Sequence, residues 1–324
     1  MYNLQKNILD ISKNHFNYLM NLQNVSAIGL GLKYINNINI FEPCLHVLVD
    51  KKLPSNSLTS NNIVPKNYMG IKTDVIEIGN LRFSSNDGLI TQKFRPLESG
   101  CQLVIYTQVN NKPYEITGTL GCIVSSVINR KRHHFILSNN HVLANFNETP
   151  IGEEIMQLNY SDEEIFDEDV VAHLTNFIPL NPTKNNTTHI NYVDCAIAKV
   201  AHKSLISNKV FNVGEITGVS KAILNEDVKK VGYYTGLTTG KILTLGATFN
   251  MYDSNNKKFI FKEQIIGKVK SDTGDSGSIL LNNKNEAIGL IFGNSKNGTH
   301  ILVNDINMVL KKLNVEIYTG EIFV

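Results

Sequence analysis

The sequence lacks most of the features that announce a function directly. Its four cysteines, Cys44, Cys101, Cys122 and Cys195, are scattered without any C-x-x-C spacing, so neither a zinc knuckle nor a dithiol redox centre is signalled. Four distant thiols in 324 residues also make a poor disulfide framework. Charge of one sign is missing too: 31 Lys and Arg stand against 29 Asp and Glu, a formal net charge of +2. With no concentrated basic block, neither nucleic acid nor an anionic membrane is expected as a partner. No apolar run approaches the ~18 residues of a membrane span. After Met1-Tyr2-Asn3-Leu4-Gln5-Lys6, Asn, Asp and Lys at short intervals break any signal-peptide core. Cytoplasmic residence is the simplest expectation. What is present is an ordinary globular composition, 42% hydrophobic and 19% charged, in a chain long enough for two or three domains.

Periodicity divides the chain. Leu4, Ile8, Ile11, His15, Leu19 and Leu22 recur at three- and four-residue steps, predicting an amphipathic helix over residues 4–22. Val25–Tyr34 and Ile38–Val49 read as strands joined near Asn36-Asn37, residues 53–66 as a polar loop, and residues 70–78 as a strand. Residues 1–90 therefore read as a small α+β accessory domain. Its boundary falls in the turn-rich stretch that holds Ser84-Ser85-Asn86-Asp87-Gly88 and Arg95-Pro96. From Cys101 to Val303 short apolar runs alternate with turn signals, among them Leu103–Tyr106, His134–Leu137, Val193–Val200, Ile242–Ala247 and Ala287–Phe292. That pattern argues for an antiparallel sandwich or a pair of barrels. Residues 159–191 are the longest interruption; their acidic run, Asp162 to Asp169, lacks the Gly and the spacing of a calcium loop and reads as solvated. Asn304 or Asp305 caps a closing helix, residues 304–314, whose face carries Ile306, Val309, Leu310 and Leu313.

The sharpest local feature is Thr273-Gly274-Asp275-Ser276-Gly277-Ser278. A Ser between glycines has an exposed hydroxyl and backbone amides free to turn toward one point, as a nucleophile beside an oxyanion hole requires. Gly-Asp-Ser-Gly also makes an ordinary turn, so the block needs company. A serine hydroxyl needs a base within hydrogen-bond reach and a carboxylate to orient that base. His141 suits the base, because it follows the apolar run Phe135-Ile136-Leu137 in Ser138-Asn139-Asn140-His141. His46, His133, His134, His173, His189, His202 and His300 show no metal-ligand spacing and read as surface or satisfied core positions. Asp194 interrupts the apolar strand Tyr192-Val193-Asp194-Cys195-Ala196-Ile197-Ala198, where a lone charge would cost several kcal/mol and must be paired. That pairing is either structural or the orienting contact to His141. The order His, Asp, Ser differs from the Ser, Asp, His of strand–elbow–helix hydrolases, and Ser278 spoils their G-x-S-x-G elbow.

The blocks Ser138–Ala144, Val193–Val200 and Gly274–Ser278, with His141, Asp194 and Ser276 53 and 82 residues apart, resemble the three signature blocks of trypsin-like peptidases of the chymotrypsin fold. Further blocks are similar to a bacterial intracellular trypsin-like group related to plant NARROW LEAF-type proteins: residues 95–100, Gly118-Thr119-Leu120-Gly121-Cys122, Thr235-Gly236-Leu237-Thr238-Thr239-Gly240 and Gly289-Leu290-Ile291-Phe292-Gly293. The N-terminal stretches Gly29–Lys33, Val47–Pro54 and Thr73–Gly79 are similar to that group's leader domain.

The resemblance implies a mainly β chain with two six-stranded antiparallel barrels, at about 100–205 and 206–303, within a peptidase domain of residues 91–324. It implies His141 and Asp194 from the first barrel and Ser276 from the second, an oxyanion hole of the Gly274 and Ser276 amides, and a primary pocket lined by Lys270, Ser271, Asp272, Thr273, Phe292, Gly293 and Asn294. No metal or cofactor is implied, and the partners are a protein or peptide substrate and a regulatory protein. Val142 and Asp272 stand where secreted members carry half-cystines. No Ile-Val-Gly-Gly-like N-terminus is present to pair with Asp275, so Asp275 must find another partner, and residues 1–90 are expected to restrain or target the site. Two other readings stay open: a peptidase-like scaffold that binds without cutting, and an esterase using the same triad.

Overall fold

A strand with one apolar face must bury it against another layer, and curling a sheet round a common core does so. A computed structural model describes residues 2–36, 38–83, 90–109, 112–158, 165–184 and 187–320. Asn37 of the expected turn, residues 84–88 of the linker and residues 162–164 of the acidic run lie outside them. The N-terminal part comprises α1 (Tyr2–Asn14), α2 (Asn17–Met20), β1 (Val25–Ile35), β2 (Ile38–Val49), β3 (Asn67–Tyr68), β4 (Ile71–Glu77) and β5 (Leu81–Arg82). The helix expected over 4–22 is thus two helices. At the break the Lys262 ammonium donates to the Lys13 carbonyl at 2.7 Å and lies 4.3 Å from the centre of the Phe16 ring.

The first barrel contains β6 (Gln102–Val109), β7 (Lys112–Thr119), β8 (Cys122–Ile128), β9 (Lys131–Ser138), β10 (Glu154–Met156), β11 (Val170–Phe177), β12 (Ile190–Asn191) and β13 (Ala196–Val200), with α3 (Asn140–Leu143) after β9. Of these, β12 pairs with the second barrel; the others run β8-β9-β13-β11-β10-β6-β7. Their inner faces, among them Leu103, Ile105, Ile123, Ile136, Val171, Leu174 and Ala198, form one core. Strand β11 lies inside the stretch read as an interruption. Exposed His173, Thr175 and Asn176 hide its apolar face, whose Val171, Ala172 and Leu174 are buried.

The second half adds β14 (Lys209–Val210), β15 (Gly214–Glu215), β16 (Gly218–Val219), β17 (Asp227–Gly232), β18 (Gly236–Tyr252), β19 (Lys258–Val269), β20 (Ile279–Asn282), β21 (Glu286–Ser295), β22 (Ile301–Asp305), α4 (Ile306–Leu313) and β23 (Glu316–Ile317). The order β19-β22-β21-β20-β17-β18, with β18 also pairing β19, closes a six-stranded ring. Of the two candidate caps, Asp305 is the one that caps α4, its Oδ1 accepting from Met308 N at 3.1 Å. Ile306, Val309 and Leu313 then pack into a core shared with Val124 and Phe135 of the first barrel, and β23 returns to pair with β8.

Strand β18 is 17 residues long and outruns the ring. Its far half pairs antiparallel with β1, Ala27 opposite Phe249 and Leu30 opposite Leu245; β2 then pairs antiparallel with β1, and β4 parallel with β2. The N-terminal part keeps a core of its own, built on Ile8, Ile11, Leu19, Ile28, Leu45 and Ile71, but its strands continue the second barrel's sheet. No helix among the described residues is long and apolar enough to cross a membrane.

Two buried histidines make this arrangement sensitive to acid. Burial pushes His46, wholly inaccessible, and His300 down to about 4. Unfolding releases both to ordinary values near 6.5, so the unfolded chain takes up protons first and stability falls as pH drops from about 6.5 toward 4. Urea titration should show unfolding free energy falling by about 2 kcal/mol per histidine between pH 7 and pH 5, with a shallower fall in His300→Gln. An equal fall in that variant contradicts the assignment for His300.

Candidate active site

Strand β9 carries Phe135, Ile136, Leu137 and Ser138 into the core, and the chain turns at Asn139 straight into α3. That turn brings His141 to the start of β13. Asp194 does not join the β13 ladder, which begins at Ala196. Its fully buried carboxylate instead accepts the amides of Asn140 at 2.7 Å and His141 at 3.2 Å on Oδ1. On Oδ2 it accepts His141 Nδ1 at 2.6 Å. A carboxylate can only accept, so Nδ1 carries the proton, and in the neutral ring Nε2 keeps its lone pair. The Asp194 backbone is clamped from both barrels. Asn139 Nδ2 donates to its carbonyl at 2.8 Å, Asn304 Nδ2 donates to the same carbonyl at 3.0 Å, and Asn304 Oδ1 accepts its amide at 3.0 Å.

The Ser276 loop leans on the first barrel. Thr119 N donates to the Ser276 carbonyl and Thr119 Oγ1 to the Gly274 carbonyl, each at 2.8 Å. Gly277 has φ of 96°, and a Cβ there would lie 2.2 Å from the Thr119 carbonyl, so only glycine fits. A Cβ on Gly118 would meet Val142 Cγ1 at 2.4 Å and the Ser276 carbonyl at 3.2 Å. This bare backbone therefore lets the α3 segment and the Ser276 loop meet over β7. The amides of Asp275, Gly277 and Ser278 are used within the chain. Those of Gly274 and Ser276 donate to nothing among the described residues. Ser276 Oγ and His141 Nε2 are likewise buried with no hydrogen-bond partner among them.

The partner of Asp275 is Lys230, which the sequence reading passed over. Both side chains are fully buried, with Nζ 2.6 Å from Oδ2. Thr235 adds its amide at 3.0 Å and its hydroxyl at 2.7 Å, and Ser271 its hydroxyl at 3.1 Å. Burial pulls the Lys230 ammonium below the usual lysine range, against the pull of the carboxylate. A charged residue at an inward position of the apolar strand Val228-Lys229-Lys230-Val231 is the same signal that singled out Asp194.

Of the expected pocket residues, Lys270 is exposed and Thr273 buried. Phe292 turns into the second barrel's core, its ring centre 4.8 Å from that of Phe261. Asn294 Nδ2 holds the Ser271 carbonyl at 3.0 Å. Asp272 binds Arg82 at 2.9 Å, and Val142 packs in the first barrel's core. The four thiols are free and buried. Burial pushes Cys44, Cys101 and Cys122 up to about 12 and Cys195 well above its ordinary value, so none is poised to react.

A second cluster, Cys44, His46 and Asp74, brings its donor atoms within 4.8 Å of one another, but the atoms of His46 and Asp74 are already engaged. His46 Nε2 donates to the Leu32 carbonyl and Nδ1 accepts from Thr244 Oγ1, each at 2.9 Å. Asp74 holds the Tyr34 amide at 2.7 Å and the Lys33 ammonium at 3.3 Å.

No protein-family model matches the sequence, and no curated protein matches it. Among solved structures the fold is similar to that of Thermobifida fusca Protease A, at 16% identity and a TM-score of 0.46 over 69% of this chain and 98% of that one. It is similar to Cellulomonas bogoriensis chymotrypsin at 15% and 0.45, over 69% and 98%. It is also similar to Nocardiopsis protease at 15% and 0.45, over 68% and 98%.

Lys230→Met leaves Asp275 buried and unpaired, and should lower unfolding free energy by about 3–5 kcal/mol, read by urea titration. A loss below about 1 kcal/mol would show that the pair does not hold the loop.

Proposed function

We propose that the chain is a serine endopeptidase acting through Ser276, His141 and Asp194. The observation that carries this reading is the 2.6 Å contact from His141 Nδ1 to the Asp194 carboxylate, which leaves Nε2 as a base, together with an unpartnered Ser276 Oγ. Ser276 Oγ attacks the scissile carbonyl and passes its proton to Nε2, and the oxyanion forms against the Gly274 and Ser276 amides. Nε2 then gives the proton to the departing amine. Water, activated by the same nitrogen, frees the acyl group. Each step uses groups of this chain, with a polypeptide as substrate. Lys270 being exposed, the reading assigns it no buried charge for selecting acidic side chains. The blocks shared with the bacterial intracellular group support placing the chain there, with a cytoplasmic location.

Ser276→Ala should abolish both peptide hydrolysis and labelling by a fluorophosphonate probe while leaving the circular dichroism unchanged. Asp194→Asn should keep the fold and lose about 10⁴-fold in kcat, because His141 then adopts the wrong tautomer. Full peptide hydrolysis by folded Ser276→Ala removes the assignment.

A further inference from the structure

Strand β21 runs past its pairing with β20, which ends at Ile279 opposite Leu290, and so leaves a free edge leading from the Ser276 loop. The chain itself occupies that edge. Strand β5 adds there antiparallel, Arg82 opposite Asn294 and Leu81 opposite Ser295, and the Lys296 amide donates to the Asn80 carbonyl at 2.5 Å. This is the geometry by which an extended peptide joins an exposed sheet edge. Gly293 makes room for it: a Cβ there would stand 2.7 Å from the Arg82 carbonyl. Arg82 Nη2 reaches Asp272 Oδ1 at 2.9 Å, and the Asp272 amide bonds Asp275, so the strap is tied to the loop that carries Ser276.

One residue further on, Phe83 covers His141, ring centre to ring centre 5.2 Å. Phe146, Phe259 and Phe261 surround it at 5.1, 6.0 and 6.4 Å. Phe146 adopts a left-handed backbone, φ 54° and ψ 40°, costly for an aromatic residue; next to it the Asn140 side chain donates to Asn147 Oδ1 and accepts the Asn147 amide. Strain kept beside the imidazole presents an aromatic cup. A cavity of about 320 Å³ lies alongside, lined by Arg82, Phe83, Tyr114, His141, Phe146 and Tyr252 among others. Phe83, against the imidazole, and Arg82, tied through Asp272 to the loop that carries Ser276, thus sit beside the two groups that a scissile carbonyl would have to reach.

We infer that Leu81-Arg82-Phe83 is a built-in pseudo-substrate: it blocks the cleft until displaced, and the cup around Phe83 selects peptide substrates with an aromatic side chain at that position. The inference rests on the peptidase reading above. Being part of the chain, the strap competes at the high effective concentration of an intramolecular ligand, so a short pairing suffices to hold it.

The test uses the full chain as wild type, Phe83→Ala and Arg82→Ala, with two readouts: kcat/KM on fluorogenic peptides and the rate of fluorophosphonate labelling of Ser276. Both variants should raise kcat/KM, Phe83→Ala by at least about tenfold. An uncleavable Leu-Arg-Phe peptide should inhibit Phe83→Ala more strongly than Leu-Arg-Ala does. If Phe83→Ala fails to fold, Arg82→Ala, whose side chain is 37% exposed, carries the test alone. Unchanged or lower kcat/KM, with Ser276 still labelled as in wild type, overturns the inference and makes Phe83 a fixed wall of the site. No labelling of Ser276 in any of the three folded proteins overturns the peptidase reading instead.

Discussion

The Asp194 carboxylate is the constraint on which the rest of the site depends. A carboxylate out of water costs several kcal/mol unless its lone pairs are filled, and here it is filled by three N–H groups from one short segment, the amides of Asn140 and His141 and the ring of His141. To deliver them, β9 must end at Ser138, α3 must start at once, and β13 must wait until Ala196. The second barrel is drawn in as well, because Asn304 at the end of β22 takes both the amide and the carbonyl of Asp194. One buried charge thus sets two strand ends and ties one barrel to the other.

A second buried charge shapes the facing side. Lys230 and Asp275 neutralise each other at zero exposure, and Asp275 also gathers Thr235, Ser271 and the amide of Asp272. In the loop so held, the amides of Gly274 and Ser276 have no acceptor among the described residues. Because the cation comes from within a strand, this shape needs no freed chain terminus. Control can then act on access to the cleft, which is where β5 and Phe83 sit.

Much of this was legible in the residues. Asp194 stood out because a charge in an apolar strand demands a partner, His141 because it follows a buried strand, and Ser276 because it stands between two glycines. The short apolar runs gave an antiparallel sandwich or a barrel pair, the resemblance favoured the barrels, and the closing helix was legible with its cap narrowed to Asn304 or Asp305. Lys230 carried the same signal as Asp194 but sits beside Lys229, and with Val228 and Val231 on opposite faces the local alternation does not say which lysine points inward. Strand β11 was hidden by its exposed His173, Thr175 and Asn176. The attachment of β1 to β18 and the lie of Phe83 over His141 join residues more than 200 and nearly 60 positions apart, and local periodicity does not encode such contacts. The contact of Lys262 with Lys13 at the split between α1 and α2 likewise joins residues 249 positions apart.

If Ser276 is the nucleophile, the reaction passes through an ester on its oxygen, and that ester can be caught. Mixing the wild-type chain with a small activated ester such as p-nitrophenyl acetate, quenching in acid and measuring the intact mass should show a burst of one nitrophenol per chain. One acetyl group should be present, mapped by peptide sequencing to Ser276. Acetylation confined to lysines, with no burst, would contradict it.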